Sequence, residues 1–299
     1  MRVTQSMLAN NMLRNLSNSY ERLGKYQEQL TTGKKITRPS DDPVVAMKGI
    51  AYREDLARVE QYQRNIGEVH NWIDSADDAL DKVGLALQRV QELVVQASTD
   101  TATPADRQKI ADEIDQIQKQ IVDVANTKIG GKYIFNGADT KNPLFVGYPG
   151  ETGFAVNGNQ SKVEIEVFDG IKLDVNIDGK TLFGDETTGI IGMLSNLKAA
   201  LNDPNSTGSA ISGYLSQIET QQNALLSARS ELGAKQNRVE MMEDRLSTQE
   251  VIATKLMSDN EDIDYEKTIT ELISQESVHR AALSVGARII QPTLVDFLR

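Results

Sequence analysis

Histidine side chains are the first candidates for catalysis in this sequence, because histidine performs much of the proton-transfer chemistry of proteins. The two histidines, His70 and His279, fall in different predicted helices with no cluster of Asp, Glu or His specified around them. His279 lies on the apolar stripe of its helix, where a histidine that completes a helix interface is the simpler interpretation. Neither histidine indicates a catalytic site.

An acidic run near the end of the chain, Asp259, Glu261, Asp262 and Asp264, has the residue types that bind calcium. It lacks the glycine and the terminal glutamate of an EF-hand loop. Carboxylates also accept hydrogen bonds from the free N–H groups at a helix start. The run is therefore interpreted as a break between helices with capping carboxylates.

Two other motifs carry only weak chemical signals. Ile129-Gly130-Gly131-Lys132 lacks the GxxxxGK[ST] spacing of a phosphate-binding loop, and Asp41-Asp42 is explained by helix capping alone. Cysteine is absent, which removes disulfides, thiolate metal sites and a cysteine nucleophile. The sequence predicts no catalytic, cofactor-binding or metal site.

The segment around Asp41-Asp42 is predicted to be a joint between two helices. Gly33 can end the first helix, because glycine adopts a left-handed backbone without a Cβ clash. Pro39 disfavours helix at Arg38. Asp42 can then cap the next helix, with Pro43 in its first position, where no N–H is needed.

Apolar residues recur at steps of three and four along four segments, which predicts four main helices. Two are short, at 13–32 and 264–290, and two are long, at 43–97 and 208–256; at 1.5 Å per residue the long ones span roughly 70–80 Å and about 70 Å. A further helix starts at Thr103-Pro104. The assembly seam predicted on the terminal segments comprises Leu13, Leu16, Tyr20, Leu23, Leu30, Ile269, Leu272, Leu283, Ile290, Leu294, Phe297 and Leu298.

Between the long helices, short β-rich runs separated by glycine, asparagine and aspartate predict an insert at 131–186. The predicted strands are 133–135, 154–156, 163–167 and 173–177, with turns at Asp169-Gly170 and Asp178-Gly179. The insert contains no His or Cys, so a hydrolase carried there would lack a nucleophile with its base.

A heptad stripe needs a partner to bury it, and the order short, long, insert, long, short pairs the helices by length. The predicted fold is mainly α with a small β insert: an elongated, nested helical bundle whose N- and C-termini pair at one end. The predicted domains are a terminal-helix domain (1–42 plus 258–299), a long-helix domain (43–130 plus 187–257) and the insert (131–186).

Composition limits the partners. The formal net charge is −11 and the pI is about 4.8, which argues against nucleic acid or an anionic membrane surface. The first residues lack the basic start and apolar run of a secretory signal, and no run of 18 apolar residues occurs. We expect a cytosolic protein, or one exported by a route that reads no cleaved signal.

The two short terminal helices would bury little surface as an isolated pair, so neighbouring copies could order them. This predicts that the chain ends act in assembly. The apolar tail at Leu294, Phe297 and Leu298 either contacts a neighbour or packs within the chain against the first helix, and both interpretations remain open.

Three sequence phrases resemble the bacterial flagellin-type axial proteins: the start Met1-Arg2-Val3-Thr4-Gln5, the joint from Leu30 to Pro43, and the end from Gln291 to Arg299. Within that superfamily, Arg38-Pro39-Ser40-Asp41-Asp42-Pro43 is more similar to the hook-associated protein 3 family of hook–filament junction proteins than to flagellin, whose corresponding phrase usually has alanines after the aspartates. The resemblance covers both helical ends and specifies the insert least.

The resemblance implies a structural subunit of the extracellular flagellum with no enzymatic activity and no cofactor. It implies export as an unfolded chain through the flagellar channel, with an export chaperone and the export apparatus as partners. The subunit would form a ring between hook-associated protein 1 and the first flagellin subunits, and the terminal helices would form an inner tube domain. A cytosolic coiled-coil scaffold or chaperone is the alternative, but it does not explain apolar seams that continue almost to both termini.

Overall fold

The computed structural model describes residues 5–99 and 103–289. The helices are α1 (Gln5–Thr32), α2 (Pro43–Ala97), α3 (Pro104–Ala125), α4 (Gly179–Phe183), α5 (Gly189–Asn202), α6 (Gly208–Ser212), α7 (Tyr214–Glu261) and α8 (Tyr265–Ile289). The strands are β1 (Lys128–Ile129), β2 (Lys132–Tyr133), β3 (Phe145–Val146), β4 (Ala155–Val156), β5 (Glu164–Phe168) and β6 (Ile171–Asp174). None of the helices described is long and apolar enough to cross a membrane.

The chain divides into two compact units, which are described separately. One, the terminal unit, comprises residues 1–58 and 249–299, and the other, the central unit, comprises residues 59–248. The terminal unit contains α1, α8, the first part of α2 and the last part of α7. The three domains predicted from sequence have different boundaries from these two units, and that division stays a prediction.

In the central unit, α2 and α7 run antiparallel and share a buried apolar seam. Gln222 of α7 donates to Gln91 of α2 at 3.2 Å, and further along α7 His70 and Glu243 approach to 3.1 Å. Five apolar residues of α7 that are spaced seven residues apart are all buried: Ile218, Leu225, Leu232, Val239 and Leu246. Burying such a seam supplies most of the stability of long amphipathic helices.

Two more helices, α3 and α5, contribute to the same apolar core. Thr103 caps α3 by accepting from the Asp106 N–H, with Pro104 in the first turn. The buried Gln118 amide donates to the Ile191 carbonyl at 3.1 Å and to Ser195 Oγ at 2.8 Å. Because these bonds satisfy the amide, a polar side chain is tolerated between the helices.

The β-rich region consists of three two-stranded antiparallel hairpins, β1–β2, β3–β4 and β5–β6. Gly130 and Gly131 form the two-residue turn between β1 and β2, both with positive φ (54° and 83°), which explains the paired glycines that resembled a phosphate loop. The Phe183 ring packs edge-on against both Phe135 and Phe145. The small sheets are thus held by side-chain packing as well as by pairing.

The structure confirms the mainly helical fold with small antiparallel sheets and corrects several details. The predictions missed Lys128–Ile129 and Phe145–Val146, which are too short to show alternation. Asp178-Gly179 is not a hairpin turn, because Asp178 caps the short helix α4 through the Thr181 N–H. The acidic run breaks the helix later than predicted, since α7 continues to Glu261.

Candidate functional site: the terminal helices and their joint

Helices α1 and α8 pack together through a narrow face of mixed polarity. Gln275 of α8 donates to the buried Ser19 hydroxyl of α1 at 3.0 Å, and the Tyr20 and His279 rings lie 6.0 Å apart. Burial, followed by a hydrogen bond to Glu271, raises the pKa of Tyr26. The two helices are held together more by polar side-chain contacts than by a continuous apolar core.

Many large apolar side chains of both helices remain largely exposed in the pair. Exposed fractions of 45–68% are found at Met7, Leu8, Leu13, Tyr20, Tyr265, Ile269, Ile273, Val278, Leu283 and Val285. Large apolar side chains concentrated on two helices are typical of surfaces that bind other proteins. We call these residues the exposed seam.

One groove on this helix pair has a wholly apolar lining. It has a volume of about 250 Å³ and is lined by Met12, Leu13, Leu16, Ala282, Leu283, Gly286 and Ala287. A Cβ on Gly286 would stand 3.0 Å from the Met12 terminal methyl, so a side chain there would require Met12 to shift. The groove has room for an apolar side chain from another surface.

The predicted seam residues divide between the two faces. Leu16, Leu23, Leu30 and Leu272 are half-buried in the terminal unit, whereas Leu13, Tyr20, Ile269 and Leu283 belong to the exposed seam. Ile290, Leu294, Phe297 and Leu298 lie outside the described residues. A single heptad stripe therefore contributes to an internal face and to an open one.

The joint has the local geometry that its residue types favour. Gly33 has φ 71°, and its N–H donates to the Gln29 carbonyl at 2.8 Å. Asp42 Oδ1 accepts from the N–H groups of Val44 and Val45, and α2 begins at Pro43. Arg38 and Pro39, which lie between Gly33 and the start of α2, are exposed.

The connector between α1 and α2, residues 33–42, also bonds to the break between α7 and α8. The Lys35 N–H donates to the Glu261 carbonyl at 2.6 Å, and the Ile263 N–H donates to the Gly33 carbonyl at 3.0 Å. Lys34 Nζ lies 2.7 Å from Asp262 Oδ1, which raises the pKa of Lys34 and lowers that of Asp262. Backbone and side-chain bonds thus join segments from opposite ends of the chain.

The histidines and the acidic run that were considered for chemistry in the sequence contact other side chains or cap a helix in the structure. His70 approaches Glu243, and His279 sits beside Tyr20. Asp264 caps α8 by accepting from the Lys267 N–H at 3.1 Å. Among the described residues, no group of three or more His, Cys, Asp or Glu side chains is placed to hold a metal ion.

Sequence reasoning missed two features of the terminal unit. Glu261 is buried and lies against Gly49 of α2, although glutamate in an acidic run normally faces water. Three large apolar residues near the end of α7, Val251, Ile252 and Leu256, are exposed. A glycine inside a strongly periodic helix was the available signal for the first feature.

Family models match both ends of the chain. The bacterial flagellin N-terminal helical region matches residues 3–140, and the bacterial flagellin C-terminal helical region matches residues 215–298. Together these matches span most of the chain, and they include α1, α2, α3, α7 and α8. The chain belongs to the flagellin family of bacterial flagellar proteins, which are structural proteins and not enzymes.

Within that family, the chain is similar to flagellar hook-associated protein 3. The Escherichia coli protein of that name is 28% identical over 94% of this chain and 95% of its own length. Flagellin from Bacillus subtilis is 28% identical over 97% of each chain. The structure of the flagellar junction protein FlgL from Legionella pneumophila shares the fold, with a TM-score of 0.58 at 16% identity over 72% of this chain and all of that one.

Proposed function

We propose that this chain is the junction subunit of a bacterial flagellum, joining hook-associated protein 1 at the hook end to the flagellin filament. The exposed seam on α1 and α8 is the observation that carries the proposal. A monomer gains nothing from leaving such surface in water, whereas a tube of repeated subunits buries it. The similarity to hook-associated protein 3 supports a position for that assembly between the hook and the filament.

The proposed assembly is a ring in which each subunit contacts its copies through the terminal helices. The apolar groove beside Leu13 and Leu283 would accept a side chain of the neighbouring subunit. We further propose export as an unfolded chain, with an export chaperone and the export apparatus as partners; the absence of cysteine supports this, because no disulfide has to form or break during passage. Nucleic acid and membrane insertion have no part in the proposal.

The three predicted domains have separate roles in this proposal. Residues 1–42 plus 258–299 would line the inner tube, and residues 43–130 plus 187–257 would surround it. The insert at 131–186 would face outward. The net charge of −11 is compatible with a surface in solution and with protein partners.

A flagellin role in the filament itself is the second candidate, since flagellin from Bacillus subtilis is as identical to this chain as the hook-associated relative is. The phrase Arg38-Pro39-Ser40-Asp41-Asp42-Pro43 favours the junction role. The cytosolic coiled-coil scaffold offers no role for the exposed seam at both ends.

A deletion strain of the source bacterium separates these functions. The junction role predicts hooks without filaments and unassembled flagellin in the medium, with filaments restored by the wild-type gene. A filament role predicts hooks without filaments but no flagellin in the medium, because the deleted chain is itself the flagellin. Normal filaments would contradict both flagellar roles.

A further inference from the structure

Glu261, the last residue of α7, is a charged side chain almost removed from water. Only 4% of its side chain is exposed, although it lies within the acidic run of Asp259, Glu261, Asp262 and Asp264. Two cations face it: Arg53 Nη2 of α2 lies 2.7 Å from Oε1, and Lys34 Nζ of the connector lies 3.4 Å from Oε2. A carboxylate is buried at this depth only when such partners compensate its lost hydration.

Gly49 supplies the space for this carboxylate. A Cβ at position 49 would stand 2.5 Å from Glu261 Oε1, closer than a Cβ packs, and a tight 3.3 Å from the carboxylate carbon, so the carboxylate would have to move. Gly49 lies inside α2, where glycine is about 1 kcal/mol less favourable than alanine. The close contact with the Glu261 carboxylate therefore explains why a glycine stands at position 49 inside α2.

The segment around Glu261 is attached on both sides by bonds to other parts of the terminal unit. Asn260 Nδ2 donates to the Val45 carbonyl at 3.0 Å, and Lys35 Nζ donates to the Asp259 carbonyl at 2.6 Å. The Glu261 carbonyl itself accepts from the Lys35 N–H. The side chain of Glu261 therefore contacts both the connector and α2, and its backbone bonds to the connector, so the end of α7 is attached to both segments.

We propose that Glu261 is a latch, whose buried carboxylate in the Gly49 recess holds the connector at 33–42 and the α7–α8 break together. A change at position 49 that expels the carboxylate releases the connector, because Lys34 and Lys35 of the connector are bound to Glu261. The two terminal helices are thus positioned by one shared group. This inference concerns the isolated chain and does not depend on the proposed junction role.

Limited trypsin digestion of the full chain tests the latch, because Lys34 and Lys35 are cleavage sites within the connector. Gly49→Ala should raise the cleavage rate there about tenfold, since cleavage follows the population of the open form. The matched control is Gly67→Ala in the same helix, where a Cβ meets nothing within 4 Å, and its rate should equal that of the wild type. Equal rates for the two alanine variants would overturn the proposal.

A double-variant cycle tests the mechanism and also covers a Gly49→Ala chain that fails to fold. Glu261→Ala removes the carboxylate, so adding Gly49→Ala to it should change the cleavage rate no further. Glu261→Gln keeps the shape but leaves Lys34 and Arg53 without their anion, and it should also raise cleavage. Additive effects in the cycle, or wild-type cleavage of Glu261→Gln, would refute the latch.

Discussion

Replacing Gly33 with alanine should loosen the joint by a measurable free energy. The backbone at Gly33 has φ 71°, and a left-handed conformation costs an ordinary L-residue about 1–2 kcal/mol. The added Cβ would also stand 2.9 Å from Tyr265 Oη, but Tyr265 is half exposed and can move aside. The backbone cost therefore dominates, and the population of the open joint should rise about 5–30-fold.

Hydrogen exchange measures this change, because the Lys35 N–H of the connector and the Ile263 N–H of the α7–α8 break are bonded across the joint only while it is closed. Two variants separate the causes. Gly33→Asn should cost less, since asparagine tolerates the left-handed region although it adds the same Cβ. Gly24→Ala, inside α1 with nothing within 4 Å of its Cβ, should instead stabilise the helix by about 0.5–1 kcal/mol. Unchanged or slower exchange in Gly33→Ala would show that the left-handed cap does not hold the joint.

Three further predictions address the core, a cap and the exposed seam. Leu232→Ala should lower the free energy of unfolding by about 2–5 kcal/mol in urea denaturation, because Leu232 is buried in the core, whereas Leu226→Ala on the exposed side of α7 should change it by no more than about 0.5 kcal/mol. Asp185 accepts four hydrogen bonds from Thr187 and Thr188, which lower its pKa to about 2; it should stabilise the start of α5 above pH 4 and lose that effect as the pH falls through 2, as followed by NMR titration. Leu283→Ser should leave the monomer's unfolding curve nearly unchanged but reduce incorporation into flagella, measured in the complemented deletion strain.

The long helices could be predicted from sequence because their determinants are local. The bounds of α2 follow from Asp42 and Pro43 at its start and from an uninterrupted apolar repeat to Ala97. The start of α3 follows from Thr103 and Pro104 in the same way. Such signals need no knowledge of the rest of the fold.

The hairpins and the latch could not be predicted, because they depend on contacts between distant segments. The strands β1 and β3 have two residues each and show no alternation. The burial of Glu261 depends on Gly49, Arg53 and Lys34, which are far away in the chain. Whether a seam residue packs internally or stays open, as Leu16 and Leu13 do, depends on the exact rotation of α1 against α8.

The position of the chain on an intact flagellum tests the junction role most directly. The chain contains no cysteine, so Lys141→Cys, at an exposed position in the β-rich region, introduces one thiol for labelling with a maleimide dye. In cells that assemble functional flagella with this variant, the junction role predicts a single labelled spot where each filament meets its hook. Label distributed along the filaments, or no labelled spot where the filaments meet their hooks, would contradict it.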